Sequence, residues 1–220
     1  MGRDAKTAIL PEILLTRSFM LKPALLSLAL ALAALPAHAT QEYILPTLFD
    51  VTGVAGDDVL NIRDTPSAKA AIIGTLAPDQ TRIEVVEARN GWARVNTAEQ
   101  SGWVNMRYLS YRTDVWEAEK LPASFRCHGT EPFWGLSVEQ GQAVLEGPDM
   151  AATPRPLQAV LGGDIFRDPT RALLAQGLTA SVVPQICSDG MSDKLYGLRA
   201  SVILTGDQPR LLQGCCTIQP

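Results

Sequence analysis

The sequence predicts an all-β protein with two small antiparallel β domains, the second of which is stapled by disulfide bonds. Short apolar and β-branched runs recur over residues 58–110 and again over residues 133–216, with turn residues between them. Asn90-Gly91 stands between two such runs and favours a tight hairpin, because that turn requires positive φ at both central positions. Four cysteines lie in the last half of the chain, at Cys127, Cys187, Cys215 and Cys216.

The first 39 residues are predicted to be a secretory signal peptide. Residues 24–35 form an apolar run that is preceded by Lys22 and followed by Ala37-His38-Ala39. This run is shorter than the roughly 20 residues that span a bilayer, so a retained membrane anchor is the weaker alternative. Translation from Met20 would give a more compact leader. We therefore expect a mature chain that begins near Thr40, is periplasmic or secreted, and has no membrane insertion after cleavage.

The charge of the chain argues against a nucleic acid or an anionic membrane as the partner. The formal net charge is -4, and residues 40–220 carry 15 basic and 21 acidic side chains. Both partners bind through clustered Lys and Arg, which release counterions, and the sequence has no such cluster. A solvated acidic surface is the simple interpretation of this balance.

The four cysteines are predicted to form two disulfide bonds, since an exported chain meets an oxidising compartment. A bond between the adjacent Cys215 and Cys216 would close a strained ring, so each is expected to pair with a distant cysteine. Neighbouring side chains of a strand point to opposite faces, so the two bonds would leave this strand on opposite sides. We favour Cys187 with Cys215 and Cys127 with Cys216, while the exchanged pairing stays open.

The first domain has short strands at close spacing, the pattern of a small antiparallel barrel. Its motifs are Val59-Leu60-Asn61-Ile62-Arg63 with Pro66-Ser67, Ile73-Gly74-Thr75-Leu76, Asn90-Gly91-Trp92-Ala93-Arg94-Val95, and Gly102-Trp103-Val104 with Arg107-Tyr108-Leu109. In order and spacing these motifs resemble the bacterial SH3-like domain. The resemblance implies a small SH3-like barrel over residues 40–110, in a family of binding and targeting modules of extracytoplasmic and cell-wall proteins. Residues 97–100 make a longer turn than many members have.

Five side chains of the first domain are candidate ligand contacts. Trp92, Trp103 and Tyr108 are predicted to form an aromatic face that stacks on a sugar or a peptide. Asn61 and Arg63 alternate with buried positions, so they are expected to point outwards and supply polar contacts. The alternatives are a core position for at least one tryptophan, above all Trp92, and a solvated edge for Asn61 and Arg63.

Residues 111–122 are predicted to be a short helical or irregular linker, with Trp116 packed between the domains. Residues 123–220 would form the second, disulfide-stapled antiparallel β domain. A hairpin is expected over residues 133–145, and the middle of the domain is expected to be rich in loops. One short helix is predicted at residues 168–174, because Asp168 can cap a helix whose first residue is Pro169. Further strands are predicted at residues 178–183, 198–204 and 210–216.

Three stretches of the second domain carry unusual residues. They are Gly-Thr-Glu-Pro-Phe-Trp at residues 129–134, Cys-Ser-Asp-Gly-Met-Ser-Asp at residues 187–193, and Gly214-Cys215. The combination is similar to an uncharacterised family of bacterial envelope proteins. This resemblance implies a common organisation over residues 125–216 and no particular activity.

Within these stretches, Glu131, Trp134, Asp189 and Asp193 are candidate ligand contacts. Glu131 is placed to line a pocket, and an exposed aromatic side chain from the adjacent Phe133 and Trp134 would mark a partner site. The alternative for Asp189 is structural, because an Asp-Gly turn uses its carboxylate to bind nearby amides.

Catalysis and metal binding have weaker support in the sequence. Ser188 or Ser192, with His128 and Asp189 or Asp193, supply the residue types of a hydrolase, but neither serine lies in a Gly-x-Ser-x-Gly turn. Calcium binding by Asp189, Ser192 and Asp193 lacks a complete loop of oxygen ligands. The sequence therefore predicts no cofactor, no metal and no catalytic residue.

The leading hypothesis is an exported, non-enzymatic binding protein of the cell envelope, whose first domain recognises cell-wall polymer or an envelope protein. One alternative is an accessory or weak cell-wall hydrolase, in which the second domain acts on the polymer that the first domain holds. A thiol-redox protein that uses Cys215 and Cys216 is the third possibility.

Overall fold

The computed structural model describes residues 43–148 and 150–219, which belong to one compact unit. The predicted signal peptide lies outside the described residues. The all-β prediction is confirmed: the described residues form strands and one short 3₁₀ turn, Met106–Tyr108, with no α-helix among them. No helix in this part of the chain has the length and apolar character needed to cross a membrane.

Two small sheets make up the N-terminal β region, residues 43–111. Their strands are β1 Thr47–Val51, β2 Leu60–Arg63, β3 Ile72–Leu76, β4 Ile83–Val85, β5 Glu87–Arg89, β6 Trp92–Asn96, β7 Ser101–Asn105 and β8 Leu109–Tyr111. One sheet has the order β4-β1-β8 and the other the order β3-β2-β7-β6-β5. Apolar side chains of both sheets pack into one core, in which Phe49, Ile62 and Val104 are buried.

The alternation of β2 and the turn at Asn90-Gly91 match the sequence prediction. Leu60 and Ile62 are buried, while the intervening side chain and Arg63 are partly exposed. Asn90 has φ 51° and Gly91 has φ 78°, and strands β5 and β6 pair directly around them. Positive φ at both positions matches the right-handed twist of the two strands, so this turn fixes their register.

Eight further strands form a closed antiparallel barrel. They are β9 Arg126–Thr130, β10 Phe133–Glu139, β11 Gln142–Gly147, β12 Met150–Gly162, β13 Arg171–Ala175, β14 Leu178–Cys187, β15 Tyr196–Leu204 and β16 Arg210–Thr217. Each strand pairs with the next one in sequence, and β16 pairs with β9 to close the sheet. Closure leaves no free sheet edge in this barrel.

Side chains fill the inside of the barrel. Leu136, Leu173, Leu198 and Leu212 are among the inward residues, and each is at most 2% exposed. An eight-stranded barrel is just wide enough for side chains to occupy its interior. Any ligand site is therefore expected at an end or on the outer surface of the barrel.

The predicted helix at residues 168–174 is wrong. Residues 171–175 form strand β13, in which Arg171, Leu173 and Ala175 are buried while the two residues between them are partly exposed. The turn residues Asp168 and Pro169 precede this strand rather than a helix. Burial of alternate side chains in the barrel outweighs the local preference for a helix start.

The expectation of a loop-rich middle segment is also wrong, because β12 is a strand of 13 residues that contains Pro154 and Pro156. The N–H of Leu157 donates to the carbonyl of Gly141 on the β11 side, at 2.9 Å. Backbone nitrogens along a strand face its two neighbouring strands in turn. Pro154 and Pro156 lie three positions and one position before Leu157, so their nitrogens face the β13 side. Pairing with β13 begins only at Leu157, so neither proline removes a ladder hydrogen bond.

The segment predicted as a linker is irregular and closely packed. Tyr111 ends β8, and the residues from 112 to 122 contain turns without a helix. Trp116 is 4% exposed; its Nε1–H donates to the Pro46 carbonyl at 2.8 Å, and the Arg171 guanidinium lies 5.0 Å from its ring. This segment therefore joins the N-terminal β region to the barrel through buried contacts.

Hydrogen bonds also join the β6–β7 hairpin to the segment before β15. The Asn96 amide donates to the Leu195 carbonyl at 2.8 Å, and the Leu195 N–H donates to the Ser101 hydroxyl at 2.9 Å. The backbone N–H of Ser101 donates to the Asp193 carbonyl, and the N–H of Asp193 donates to the Glu99 carbonyl. The hairpin thus fixes the position of the segment that follows Asp189.

The favoured disulfide pairing is confirmed, with bonds Cys127–Cys216 and Cys187–Cys215. Cys127 and Cys216 face each other on β9 and β16 and belong to the barrel core. The second bond connects β14 to β16 across the intervening strand β15. Adjacent cysteines on β16 therefore serve opposite faces of the barrel wall, as alternation along a strand requires.

Candidate functional site

A cavity of about 560 Å³ lies on the N-terminal β region and brings together four of the five candidate residues predicted there. We call it the Trp92 groove. Its walls come from β2, from the start of β6, from the 3₁₀ turn and from the loop before β2. The lining residues that matter below are Asp58, Asn61, Arg63, Trp92, Arg107 and Tyr108.

Local structure sets the orientation of the two rings. Trp92 opens β6 directly after the Asn90-Gly91 turn, and the N–H of Met106 donates to the Gly91 carbonyl at 2.9 Å. The Asn105 side chain accepts a hydrogen bond from the Arg107 N–H at 3.1 Å and caps the 3₁₀ turn that carries Tyr108. Both rings are partly exposed.

The groove combines aromatic surface with a small excess of positive charge. Arg63 and Arg107 face it together with the single carboxylate of Asp58. The Arg63 guanidinium also donates to the Ala70 carbonyl at 2.6 Å, which limits its freedom, and Arg107 lies 4.8 Å from the Tyr108 ring. Rings beside amides and guanidinium groups suit a ligand that carries sugar or peptide surface and carboxylates.

The prediction that Trp103 contributes to an exposed aromatic face is wrong. Its side chain is 3% exposed and does not line the groove. The guanidinium groups of Arg89 and Arg94 lie 5.0 and 4.5 Å from its ring, and Glu87 forms an ion pair with Arg94 at 3.2 Å. The side chain lies on the outer face of the sheet, as alternation predicts, but these neighbours cover it.

A second site lies on the barrel, where two cavities of about 620 and 640 Å³ adjoin. Both are lined by His128, Gly129, Thr130, Phe133, Asp189 and Met191. The first, which we call the polar cavity, is also lined by Glu131, Arg199 and Gln213. The second, the apolar cavity, is also lined by Trp134, Pro148 and Met150. The Gly-Thr-Glu-Pro-Phe-Trp and Cys-Ser-Asp-Gly-Met stretches therefore meet here.

The Asp189 carboxylate organises the loop at this second site. It accepts hydrogen bonds from the N–H groups of Met191 and Ser192 at 3.0 and 3.1 Å, and from the Ser192 hydroxyl. The Tyr196 hydroxyl donates to its second oxygen at 3.2 Å. Its backbone carbonyl accepts from the Thr130 hydroxyl at 2.8 Å, which ties the loop to β9. The structural alternative for Asp189, a carboxylate that binds turn amides, matches these contacts.

The protonation states at this site follow from burial and from these hydrogen bonds. Burial raises the pKa of the Asp189 carboxyl, but hydrogen bonds from Met191, Ser192 and Tyr196 outweigh it and leave that pKa below the usual range. Burial, and then the charge of Asp189, raise the pKa of Tyr196 to about 12. Burial lowers the pKa of His128 although Asp189 acts in the opposite direction. At neutral pH the site holds an ionised Asp189 and an uncharged His128.

Adjacent Phe133 and Trp134 point to opposite faces, with Phe133 52% exposed and Trp134 4% exposed. The Trp134 ring enters the barrel where glycines leave room for it. A Cβ at Gly129 would lie 2.0 Å from Trp134 Nε1, and a Cβ at Gly214 would lie 2.0 Å from the His128 carbonyl oxygen and 2.7 Å from Trp134 Cζ2. The packing of the Trp134 ring therefore requires glycine at position 129 in the Gly-Thr-Glu-Pro-Phe-Trp stretch and at position 214 before Cys215.

The remaining candidates are separated by the fold. Glu131 is exposed and lines the polar cavity, whereas Asp193 lines neither cavity. Asp193 instead forms backbone hydrogen bonds with the β6–β7 hairpin. Asp58, Arg107 and Met191 line a site but are absent from the sequence-based candidates, and Phe133 rather than Trp134 is the exposed ring of the adjacent aromatic pair. Only the folded arrangement brings them beside residues from distant parts of the chain.

The arrangement gives no support to a serine hydrolase. The Ser192 hydroxyl donates to Asp189, and the Ser188 hydroxyl accepts from the Gly190 N–H. In the part of the chain that the structure describes, neither hydroxyl bonds to His128, whose Nε2 lies 3.9 Å from Asp189 Oδ2. A nucleophile needs a base within hydrogen-bond reach. A dithiol reaction is equally unsupported, because Cys215 and Cys216 are both in disulfide bonds.

Comparison with known proteins relates one segment of the N-terminal β region to a family. No curated protein and no solved structure matches the chain. A family model does match one segment of the chain, which contains β2 to β7, the 3₁₀ turn and most of the Trp92 groove. Residues 58–110 match the family model described as Bacterial SH3 domain.

Proposed function

We propose that this chain is an exported, non-enzymatic binding protein of the cell envelope, and that its Trp92 groove binds cell-wall polymer. One observation carries the proposal. The segment that matches the bacterial SH3 domain contributes most of the Trp92 groove. Four of the predicted contact residues line this groove together: Asn61, Arg63, Trp92 and Tyr108. Bacterial SH3 domains commonly bind cell-wall material, which is consistent with such a role.

Export is part of the same proposal. The apolar leader at residues 1–39 has the pattern of a cleaved signal peptide, and two disulfide bonds are typical of a periplasmic or secreted protein. The proposed organisation is a signal peptide at 1–39, a bacterial SH3-like domain at 40–110, a connecting segment at 111–122 and a second β domain at 123–220.

The chemistry of the groove favours peptidoglycan as the polymer. Flat faces of Trp92 and Tyr108 offer apolar surface to a sugar ring or a peptide side chain, and Asn61 offers both an amide donor and an acceptor. Peptide stems of a cell wall carry free carboxylates, which the guanidinium groups of Arg63 and Arg107 can bind. An envelope protein that presents the same groups is the alternative partner.

Co-sedimentation of the full chain with purified peptidoglycan tests the proposal. We expect the protein to pellet with the polymer and Trp92→Ala to weaken the apparent affinity about tenfold, because stacking on an aromatic residue typically contributes on the order of 1 kcal/mol or more. Phe166→Ala removes an exposed ring that lies outside the groove and serves as the matched control. Failure of the unchanged chain to pellet, or equal loss in both variants, would count against the groove as a cell-wall site.

A further inference from the structure

We infer that the polar and apolar cavities of the barrel form a second ligand site, and that this site takes an organic cation with an apolar body, of which an alkylammonium ion is the simplest case. The inference is independent of the Trp92 groove. It rests on the shape of the paired cavities, on the apolar side chains between them and on the charges that line them.

The polar and apolar cavities share part of their lining. Six residues are common to both, and Phe133 and Met191 are the largest apolar side chains among them. Each volume lies within the range of about 300 to 1,000 Å³ that is usual for small-molecule sites. An elongated ligand can therefore lie across Phe133 and Met191 with its two ends in different cavities.

Apolar surface is exposed where the ligand body would lie. Phe133 is 52% exposed and Met191 is 67% exposed, although both occupy a concave part of the surface. The apolar cavity continues past them to Met150, Pro148 and the edge of Trp134. Covering this surface with an alkyl or aromatic group removes apolar area from water, which favours binding. Methionine side chains adapt readily to such groups.

The charges in the walls select the sign of the ligand. Glu131, Glu146 and Asp189 contribute three carboxylates to the two cavities, while Arg199 contributes the one guanidinium group. The positive charges of Arg126 and Lys194 help to lower the pKa of His128, but neither residue lines either cavity. Charged groups in the lining itself lie closest to a bound ligand, so an ammonium group is preferred there to a carboxylate.

Asp189 and His128 contribute to ammonium binding in different ways. The Asp189 carboxylate already accepts four hydrogen bonds and is largely buried, so it supplies charge rather than a free acceptor. The half-buried imidazole of His128 is uncharged at neutral pH and has one nitrogen that can accept a hydrogen bond. Glu131 is exposed, lines the same polar cavity as His128 and adds a carboxylate there. An ammonium group has only donors, which these acceptors can satisfy.

A pair of probes with the same alkyl chain and opposite charges tests the inference. Hexylammonium and hexanoate are titrated into the full chain, and binding is followed by the methyl resonances of Met191 and Met150 and by the Trp134 indole N–H. We expect saturable shifts with hexylammonium and at least about tenfold weaker binding of hexanoate, which corresponds to a difference of one charge-assisted contact. Equal affinity for the two probes, or no shift with hexylammonium, would overturn the assignment.

Two exposed phenylalanines give matched variants for the same titration. Phe133→Ala is expected to weaken hexylammonium binding about tenfold through the loss of apolar contact. Phe166→Ala, which removes a ring that lines neither cavity, is expected to change it less than twofold. Glu131→Gln is expected to weaken it about threefold by removing an exposed charge. Equal effects of Phe133→Ala and Phe166→Ala would show that the probe binds elsewhere and would refute the inference.

Discussion

The carboxylate of Glu84 on β4 accepts a hydrogen bond from the hydroxyl of Thr217 at the end of β16, 133 positions along the chain. The same oxygen accepts from the Ile218 N–H at 3.2 Å, and the other carboxylate oxygen is buried without a partner in the described residues. Glu84 is 2% exposed. A buried carboxylate thus lies between the N-terminal β region and the barrel, and its protonation is coupled to their packing.

The stability of the protein is predicted to fall as this carboxylate ionises. Burial raises the pKa of Glu84 from 4.5 to about 7, so the folded state binds the proton more tightly than the unfolded state does. The contribution of Glu84 to the free energy of unfolding should therefore be largest below pH 4.5, fall between pH 4.5 and about 7, and stay level above that range. The total loss is on the order of 3 kcal/mol.

Glu84→Gln removes this titration. Denaturant unfolding measured across the same pH range should show that the fall of about 3 kcal/mol disappears in this variant. Glu87→Gln, which removes a partly exposed carboxylate that pairs with Arg94, is the control and should keep the pH dependence of the unchanged protein. Parallel pH curves for the unchanged protein and Glu84→Gln would disprove the coupling.

Gly214→Ala is predicted to destabilise the barrel. The added Cβ would meet the His128 carbonyl and the Trp134 ring at distances that no packed atoms adopt, so backbone and ring must move apart. We expect a loss of about 1 to 3 kcal/mol in the free energy of unfolding. Gly56→Ala, where a Cβ has no atom within 4 Å, should change it by less than about 0.5 kcal/mol. Equal unfolding midpoints for both variants would contradict the packing described for Trp134.

Arg171→Lys is predicted to loosen the segment that connects the two β regions. The buried guanidinium donates to the carbonyls of Glu117, Lys120, Asp168 and Thr170 at 2.6 to 3.0 Å. A lysine ammonium cannot reproduce this planar set of donors, so we expect a loss of about 2 to 4 kcal/mol in thermal or denaturant unfolding.

The control for that measurement is Arg210→Lys, at an exposed arginine, which should leave the unfolding midpoint nearly unchanged. Faster hydrogen exchange of amides in residues 112–122 should accompany the loss in Arg171→Lys. Unchanged exchange in that segment would mean that the guanidinium does not hold it.

Asp189→Asn is predicted to lower the pKa of Tyr196. Burial and the Asp189 charge together raise that pKa to about 12, and the substitution removes the charge while it keeps a side chain of the same shape. The titration of the Tyr196 ring resonances measures the change. Asp193→Asn, in the same loop but with an exposed side chain, should leave the pKa of Tyr196 where it is. An unaltered Tyr196 titration in Asp189→Asn would argue that burial alone sets the value.

Local patterns of the sequence predict several elements of the fold. Asn90-Gly91 determines a hairpin because few residue pairs accept positive φ at both positions. Alternation on β16 places Cys215 and Cys216 on opposite faces, which explains why each bonds to a different distant cysteine. The alternation of β2 likewise brings Asn61 and Arg63 to the Trp92 groove.

Other features depend on contacts between distant segments. Trp103 lies on the outer face of its strand, yet Arg89 and Arg94 from neighbouring strands cover it. Asp168 and Pro169 have the local pattern of a helix start, but closure of the barrel requires the following residues as a strand. The burial of Glu84 follows from the contact with β16, for which the sequence near Glu84 has no pattern.

The most direct test of the proposed function is to map the binding of a soluble peptidoglycan fragment on the full chain by NMR. We expect the largest shifts at the Trp92 indole N–H, the Asn61 side-chain amide and the Tyr108 ring, with weaker changes around Arg107. Shifts confined to the barrel, or no shifts at all while the intact polymer still binds, would contradict the assignment of the Trp92 groove as the cell-wall site.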